Sequence, residues 1–145
     1  MIKSLRANLD FKVFHYNGLK IKLHPEVYEP SEDTFQVIEA LNIRGDEKIL
    51  EIGTGSGLIS LECARQGARV VSTDINPFAC QNLEENYLKN SVLIKGSLWV
   101  RKGDLFEPLK ENEKFDIVIF NPPYLPTEQK DRVGGSGWFD KAVDG

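Results

Sequence analysis

The chain has 145 residues, a formal net charge of −4, and 41% hydrophobic against 28% charged residues, enough apolar content for one buried core and one domain. No apolar run reaches the roughly 18 residues a membrane-spanning helix needs, and Met1-Ile2-Lys3-Ser4-Leu5-Arg6 lacks a signal-peptide apolar block. Cys63 and Cys80 are too few for a zinc site or a disulfide framework. Both fall in helical stretches, so buried free thiols in a reducing cytoplasm are expected. His15 and His24 have no partner at ligand spacing and read as surface or packing residues.

Residues 1–24 carry net +4 and the remainder −8. This basic arm holds a hairpin signal, Phe11–Tyr16 and Leu19–Leu23 around Asn17-Gly18. A solvated hairpin face accounts for so few charges; contact with RNA is the alternative. The arm is read as residues 1–26 and the main domain as 27–145. At Ser31 a helix start is expected, with Ser31 as cap and Glu32 and Asp33 in the first turn, where the helix dipole favours acids.

Lys48–Ile52 reads as a short buried strand, followed at once by Gly53-Thr54-Gly55-Ser56-Gly57 and a helical pattern through Leu58, Leu61, Cys63 and Ala64. In such a unit the glycines let backbone N–H groups approach a ligand, and the helix N-terminus favours an anionic group. Arg69–Thr73 forms a second strand ending in Asp74, 21 positions after Gly53, where an acidic residue meets a cofactor's ribose hydroxyls. A dinucleotide loop needs a third glycine where this chain has Leu58. A third strand is read at Leu98–Arg101, before Gly103-Asp104-Leu105-Phe106, and a fourth in the apolar run Phe115–Phe120.

The fourth strand leads into Asn121-Pro122-Pro123-Tyr124. Each proline fixes its own φ and keeps the preceding residue extended, which frees the carbonyls of Asn121 and Pro122 to accept. An asparagine amide beside a backbone carbonyl can hold both hydrogens of a planar –NH2 group, and Tyr124 offers a flat face for an amide or a base. A plain strand-to-loop turn would use the same residues.

Together, Glu51 before the glycines, Gly53-x-Gly55-x-Gly57, Asp74-Ile75-Asn76-Pro77 and the Asn121–Tyr124 tetrapeptide resemble the class I S-adenosylmethionine-dependent methyltransferases. With Val27-Tyr28-Glu29-Pro30-Ser31-Glu32-Asp33-Thr34, the similarity narrows to the HemK-type release-factor glutamine methyltransferases, in particular their archaeal and eukaryotic branch. The resemblance runs from about Val27 to Tyr124. It implies a Rossmann-like α/β fold with helices on both faces of the sheet. It implies that Tyr28, Pro30, Asp33 and Thr34 line the donor pocket near the methionine part, that Gly53, Gly55 and Gly57 border its amino-acid end, and that Glu51 and Asn121 also belong to the donor-binding residues. Asp74 would hold the ribose, and Asp104 would face the adenine amino group. Asn121, Pro122, Pro123 and Tyr124 would bind the substrate amide, with Asn121, Pro122 and Tyr124 doing the catalytic work.

The implied substrate is a glutamine in a translation release factor, and the implied activator, for that branch, is a small zinc-binding protein. Two alternatives stay open: methylation of an exocyclic amine of RNA or DNA, and a module that binds donor or partner without turnover. Methyltransferases of this class order their strands 3-2-1-4-5-7-6, yet only four core strands are read here, and the 21 residues after Tyr124 show no strand pattern. The far half is therefore expected to be missing. An apolar patch at Ile117 and Ile119, beside an uncovered fourth strand, is expected to drive self-association.

Overall fold

The computed structural model describes residues 11–120. The hairpin forms as its turn chemistry dictates: β1 (Lys12–Tyr16) pairs antiparallel with β2 (Leu19–Leu23), with Tyr16 opposite Leu19. Asn17 and Gly18 take φ values of 48° and 84°, the left-handed pair a two-residue type I′ turn requires. Alternation along β2 sends Leu19, Ile21 and Leu23 into the core and leaves Lys20 exposed.

Helix α1 (Glu32–Ala40) starts at Ser31, where the expected cap is present: the Ser31 N–H donates to Thr34 Oγ1 at 3.1 Å, and Glu32 and Asp33 occupy the first turn. Four parallel strands follow: β3 (Lys48–Ile52), β4 (Arg69–Asp74), β5 (Ser97–Lys102) and β6 (Ile117–Phe120), in spatial order β5-β4-β3-β6. Helices α2 (Leu58–Arg65) and α3 (Pro77–Lys89) supply the crossovers. Both crossovers step the same way across the sheet, so right-handed connections put α2 and α3 on one face. Ile49, Val70, Leu98 and Ile119 point to that face and join Leu58, Leu61 and Leu83 in the main core, which the inner side of the hairpin completes.

The sheet is the Rossmann-like α/β arrangement expected, with its four strands where the sequence places them. Helices are expected on both faces, but the three described ones all contribute to the first. On the second, Leu50, Ile52 and Val71 are roofed by Leu105, Leu109 and Phe115 from the 103–116 segment, which connects β5 to β6 without forming a helix. The expected apolar patch at Ile117 and Ile119 is corrected. Ile119 is 7% exposed in the main core with Ile117 packed beside it, while Val118 and Phe120 are 54% and 52% exposed. The side-chain period of two is the reason: Glu51 pairs with Ile119 and Leu50 with Val118, so the isoleucines share the helix face. No helix among the described residues is long and apolar enough to cross a membrane.

Candidate functional site

The chain crosses from β5 on one side of β3 to β6 on the other, which makes the carboxyl ends of β3 and β6 a topological switch point, where open α/β sheets form ligand crevices. The glycine loop begins there. Gly53, Gly55 and Gly57 have φ values of 73°, 54° and 81°, a backbone that side chains resist. At Gly53 and Gly55 an added Cβ would meet no atom within 4 Å, so the loop presents bare backbone to open space. At Gly57 the same atom would lie 2.6 Å from Leu83 Cδ1, because this turn packs directly on α3.

The loop is anchored on β4. The Gly53 and Thr54 N–H groups donate to the Thr73 carbonyl at 2.9 and 3.1 Å, and the Gly55 N–H donates to Asp74 Oδ2 at 3.0 Å. Asp74 Oδ1 accepts from the Asn76 N–H at 2.9 Å, so both carboxylate oxygens are held by backbone N–H groups. Burial raises the Asp74 carboxyl above its usual range, against the pull of those N–H donors. The Gly103 N–H donates to the Asp74 carbonyl at 2.9 Å, bringing the exposed Asp104 turn beside the loop. Leu105 follows at φ 46°, a left-handed backbone uncommon for leucine that stores strain next to the site.

Beneath the loop lies Glu51, 2% exposed. It accepts from Thr54 Oγ1 at 2.7 Å and Ser60 Oγ at 2.6 Å, and Ser60 bonds in turn to Ser72 of β4. Burial outweighs these donors and pushes the Glu51 carboxyl up to about 7. Glu51 is therefore a floor for the loop, tied to β3, β4 and α2. The hydroxyl network around it, Thr54, Ser60 and Ser72, escapes sequence reading because serine and threonine in a loop and a buried strand carry no spacing signal.

The residues expected near the methionine part lie on the segment that leads into and begins α1. Thr34 is buried, with its hydroxyl engaged by the Ser31 N–H, and Asp33 is exposed in the first turn of α1. Pro30 lines a cavity of about 280 Å³ with Phe14, Leu23 and Phe35, with the Lys12–Glu29 ion pair on its wall. The Tyr28 hydroxyl is buried. The Asn121–Tyr124 tetrapeptide lies outside the described residues; β6 ends at Phe120, opposite Ile52 and so beside the start of the glycine loop.

The hairpin is held by a device the sequence does not announce. Asn90, the C-cap of α3, and Asn86 and Asn82 on the same stripe of that helix accept from the N–H groups of Lys20, Lys22 and His24 at 2.9, 3.0 and 2.8 Å. The Asn90 and Asn86 amides also donate to the Lys20 and Lys22 carbonyls at 2.9 and 2.8 Å. Three helical side chains thus do for the edge of β2 what a neighbouring strand would do. The i, i+4, i+8 spacing was the available signal.

His24 is a packing residue, stacked on Phe78 with ring centroids 4.5 Å apart, and burial lowers its imidazole below the usual value. Cys63 and Cys80 are buried free thiols, each pushed up to about 12 by burial. No group of three histidine, cysteine or acidic side chains that could hold a metal occurs among the described residues.

Comparison with known proteins agrees with this geometry. Residues 28–143 match the methyltransferase small domain. A Methanocaldococcus jannaschii protein named as a protein N5-glutamine methyltransferase is 42% identical over 134 residues, covering 92% of this chain and 64% of its own length. A Moorella thermoacetica release factor glutamine methyltransferase is 38% identical, covering 77% of this chain and 41% of its own length. Human methyltransferase HEMK2 is also 38% identical over 77% of this chain, and this chain spans 55% of it. The chain thus spans about two fifths to two thirds of these relatives. The Thermus thermophilus 16S rRNA N2 G1207 methyltransferase, solved with AdoMet and guanosine, superposes with a TM-score of 0.67 at 24% identity, covering 92% of this chain and 38% of that one, and shares the fold. By sequence match, strand order and glycine loop alike, the chain belongs to the methyltransferase small-domain family.

Proposed function

We propose that this chain forms the donor-binding part of an S-adenosylmethionine-dependent N-methyltransferase whose acceptor is the side-chain amide of a glutamine in a translation release factor. The observation that carries the reading is the Asp74 carboxylate, 5% exposed and fixed by the Gly55 and Asn76 N–H groups at the end of β4, directly beside bare loop backbone. Such a carboxylate, its two oxygens fixed in place, fits a ribose diol, whose hydroxyls are donors to it. The clear space over Gly53 and Gly55 fits the amino-acid end of the donor, next to the α2 N-terminus. The names of the relatives support the glutamine acceptor.

S-adenosylmethionine supplies a methyl group on a sulfonium, a good leaving group. The chain's part is placement, since holding two reacting atoms in line is worth about 7–11 kcal/mol of barrier. In the sequence, Asn121 and Pro122 offer the acceptors that would take both hydrogens of the amide –NH2 and turn its lone pair toward the methyl. With the donor bound, the nitrogen pair would take the methyl as the S–C pair stays on sulfur, and one N–H proton would leave to solvent. Acceptors at those hydrogens offset the positive charge that grows on nitrogen. Self-association along β6, through the exposed Val118 and Phe120, and a small activator protein belong to the same proposal.

The test is calorimetry followed by label transfer. Asp74→Ala should weaken S-adenosylmethionine and its demethylated product alike by about 1.5–3 kcal/mol, the worth of a hydrogen bond to a charged group. Asn121→Ala should keep donor binding and lose transfer to release factor. Unchanged affinity in Asp74→Ala would refute the donor reading, and label entering RNA or DNA but not release factor would refute the acceptor.

A further inference from the structure

Between the hairpin and the Tyr28–Thr34 segment runs a short turn, His24 to Val27, closed by the Val27 N–H donating to the His24 carbonyl at 3.0 Å. Its inner side is set by the His24 ring, whose Nδ1 accepts from the Glu26 N–H at 2.9 Å. The outer side is set by Asn76, which lies 50 residues away in sequence and 5% exposed. The Asn76 side chain donates through Nδ2 to the Glu26 carbonyl at 2.9 Å and accepts through Oδ1 from the Phe78 N–H at 2.9 Å, capping α3. Its own N–H goes to Asp74 Oδ1, and the other oxygen of that carboxylate goes to the Gly55 N–H. One residue therefore joins the turn that delivers Tyr28 and Pro30 to the carboxylate and the glycine loop.

We infer that Asn76 is a positioning residue for the donor. It holds the Tyr28–Pro30 segment, which would meet the methionine part, in fixed register with Asp74, which would meet the ribose. The inference rests on the donor reading above. The residue type follows from the two jobs. A cap needs an acceptor two residues before Phe78, which serine, threonine and aspartate also supply, but only an amide adds an N–H donor aimed the other way, at the Glu26 carbonyl. Serine would keep the cap and be too short for the tether.

The decisive readout is the ratio of two affinities, because a purely structural role would not change it. S-adenosylhomocysteine spans both ends of the site, whereas adenosine reaches the Asp74 end alone. In Asn76→Ser, S-adenosylhomocysteine should bind about tenfold more weakly, the scale of one lost positioning bond, while adenosine stays within about twofold of wild type. If Asn76→Ser does not fold, as read by its unfolding transition, Asn76→Asp takes the same test. Its carboxylate keeps the cap acceptor and removes the donor, so the same fall in the ratio is expected. Loss of both affinities in proportion, or no loss of either, overturns the inference while the donor reading stands. A wild-type chain that binds neither compound overturns both.

Discussion

At the end of β3 the backbone N–H groups are held by the Thr73 carbonyl and by Asp74, and the outer side of Gly53 and Gly55 is left clear. Along β2 the exposed backbone edge is instead filled, with Lys20, Lys22 and His24 taken up by asparagine side chains from α3. Both regions face the same obligation, that buried backbone groups be paired. One meets it from beneath, so that a ligand can lie on top. The other meets it edge-on, so that nothing can. A cradle is made of residues with no side chain, and a dock of side chains that imitate backbone.

The sharpest way to break that comparison is within the cradle. Gly57→Ala combines a left-handed φ of 81° with a Cβ 2.6 Å from Cδ1 and 3.3 Å from Cγ of Leu83, a fully buried side chain. It should cost about 3 to 4 kcal/mol in urea unfolding. Gly53→Ala, with φ 73° and nothing within 4 Å, should cost only about 1 kcal/mol. Equal losses would mean that the cradle is shaped by φ alone.

The Glu51 floor comes next. Its carboxyl is raised from about 4.5 when unfolded to about 7 when folded, so the folded state prefers the proton. The stabilisation this gives is complete below pH 4.5 and is lost as pH rises to about 7, about 3 kcal/mol in all. Asp74, raised by burial as well, adds a loss of the same sign, so the difference between wild type and Glu51→Gln reads the Glu51 share together with its repulsion from Asp74. Unfolding free energy measured from pH 5 to 8 should fall in wild type and flatten by that amount in the variant.

On the dock side, Asn86→Ala removes two bonds to Lys22 and leaves its N–H and carbonyl without their protein partners. About 2 kcal/mol should be lost, and hydrogen exchange should rise at Lys22 while Gly55 keeps its protection. Exchange rising equally at both would mean that cradle and dock are one cooperative unit. The smallest effect is expected at Lys12→Ala, which breaks the ion pair with Glu29. Those side chains are 72% and 56% exposed, so stability should change by less than about 0.5 kcal/mol.

The cradle was legible because its parts are contiguous: strand, glycines and helix follow in order, and Asp74 falls at a fixed distance from Gly53. The hairpin was legible from Asn17-Gly18 for the same local reason. The dock was not, because Asn82, Asn86 and Asn90 look like polar residues of an ordinary exposed helix face until the hairpin is laid against them. Nor was the second face of the sheet. Leu50 and Val71 mark it as apolar, but that a helix-free segment carrying Leu105 and Phe115 covers it depends on tertiary packing. Ile117 and Ile119 were assigned to the open side because an apolar run shows no alternation from which to choose a face.

The asparagine stripe also bears on how the chain is made. The hairpin closes locally within microseconds of its synthesis, but its partners arrive late, with Lys20 separated from Asn90 by 70 residues. At translation rates of about 5–20 residues per second, β2 waits on the order of several seconds with its outer edge unsatisfied. Lys20 and Lys22, which alternate with the buried leucines and Ile21 along that edge, keep it soluble during the wait. The last asparagine to emerge turns an early hairpin into a permanent part of the fold.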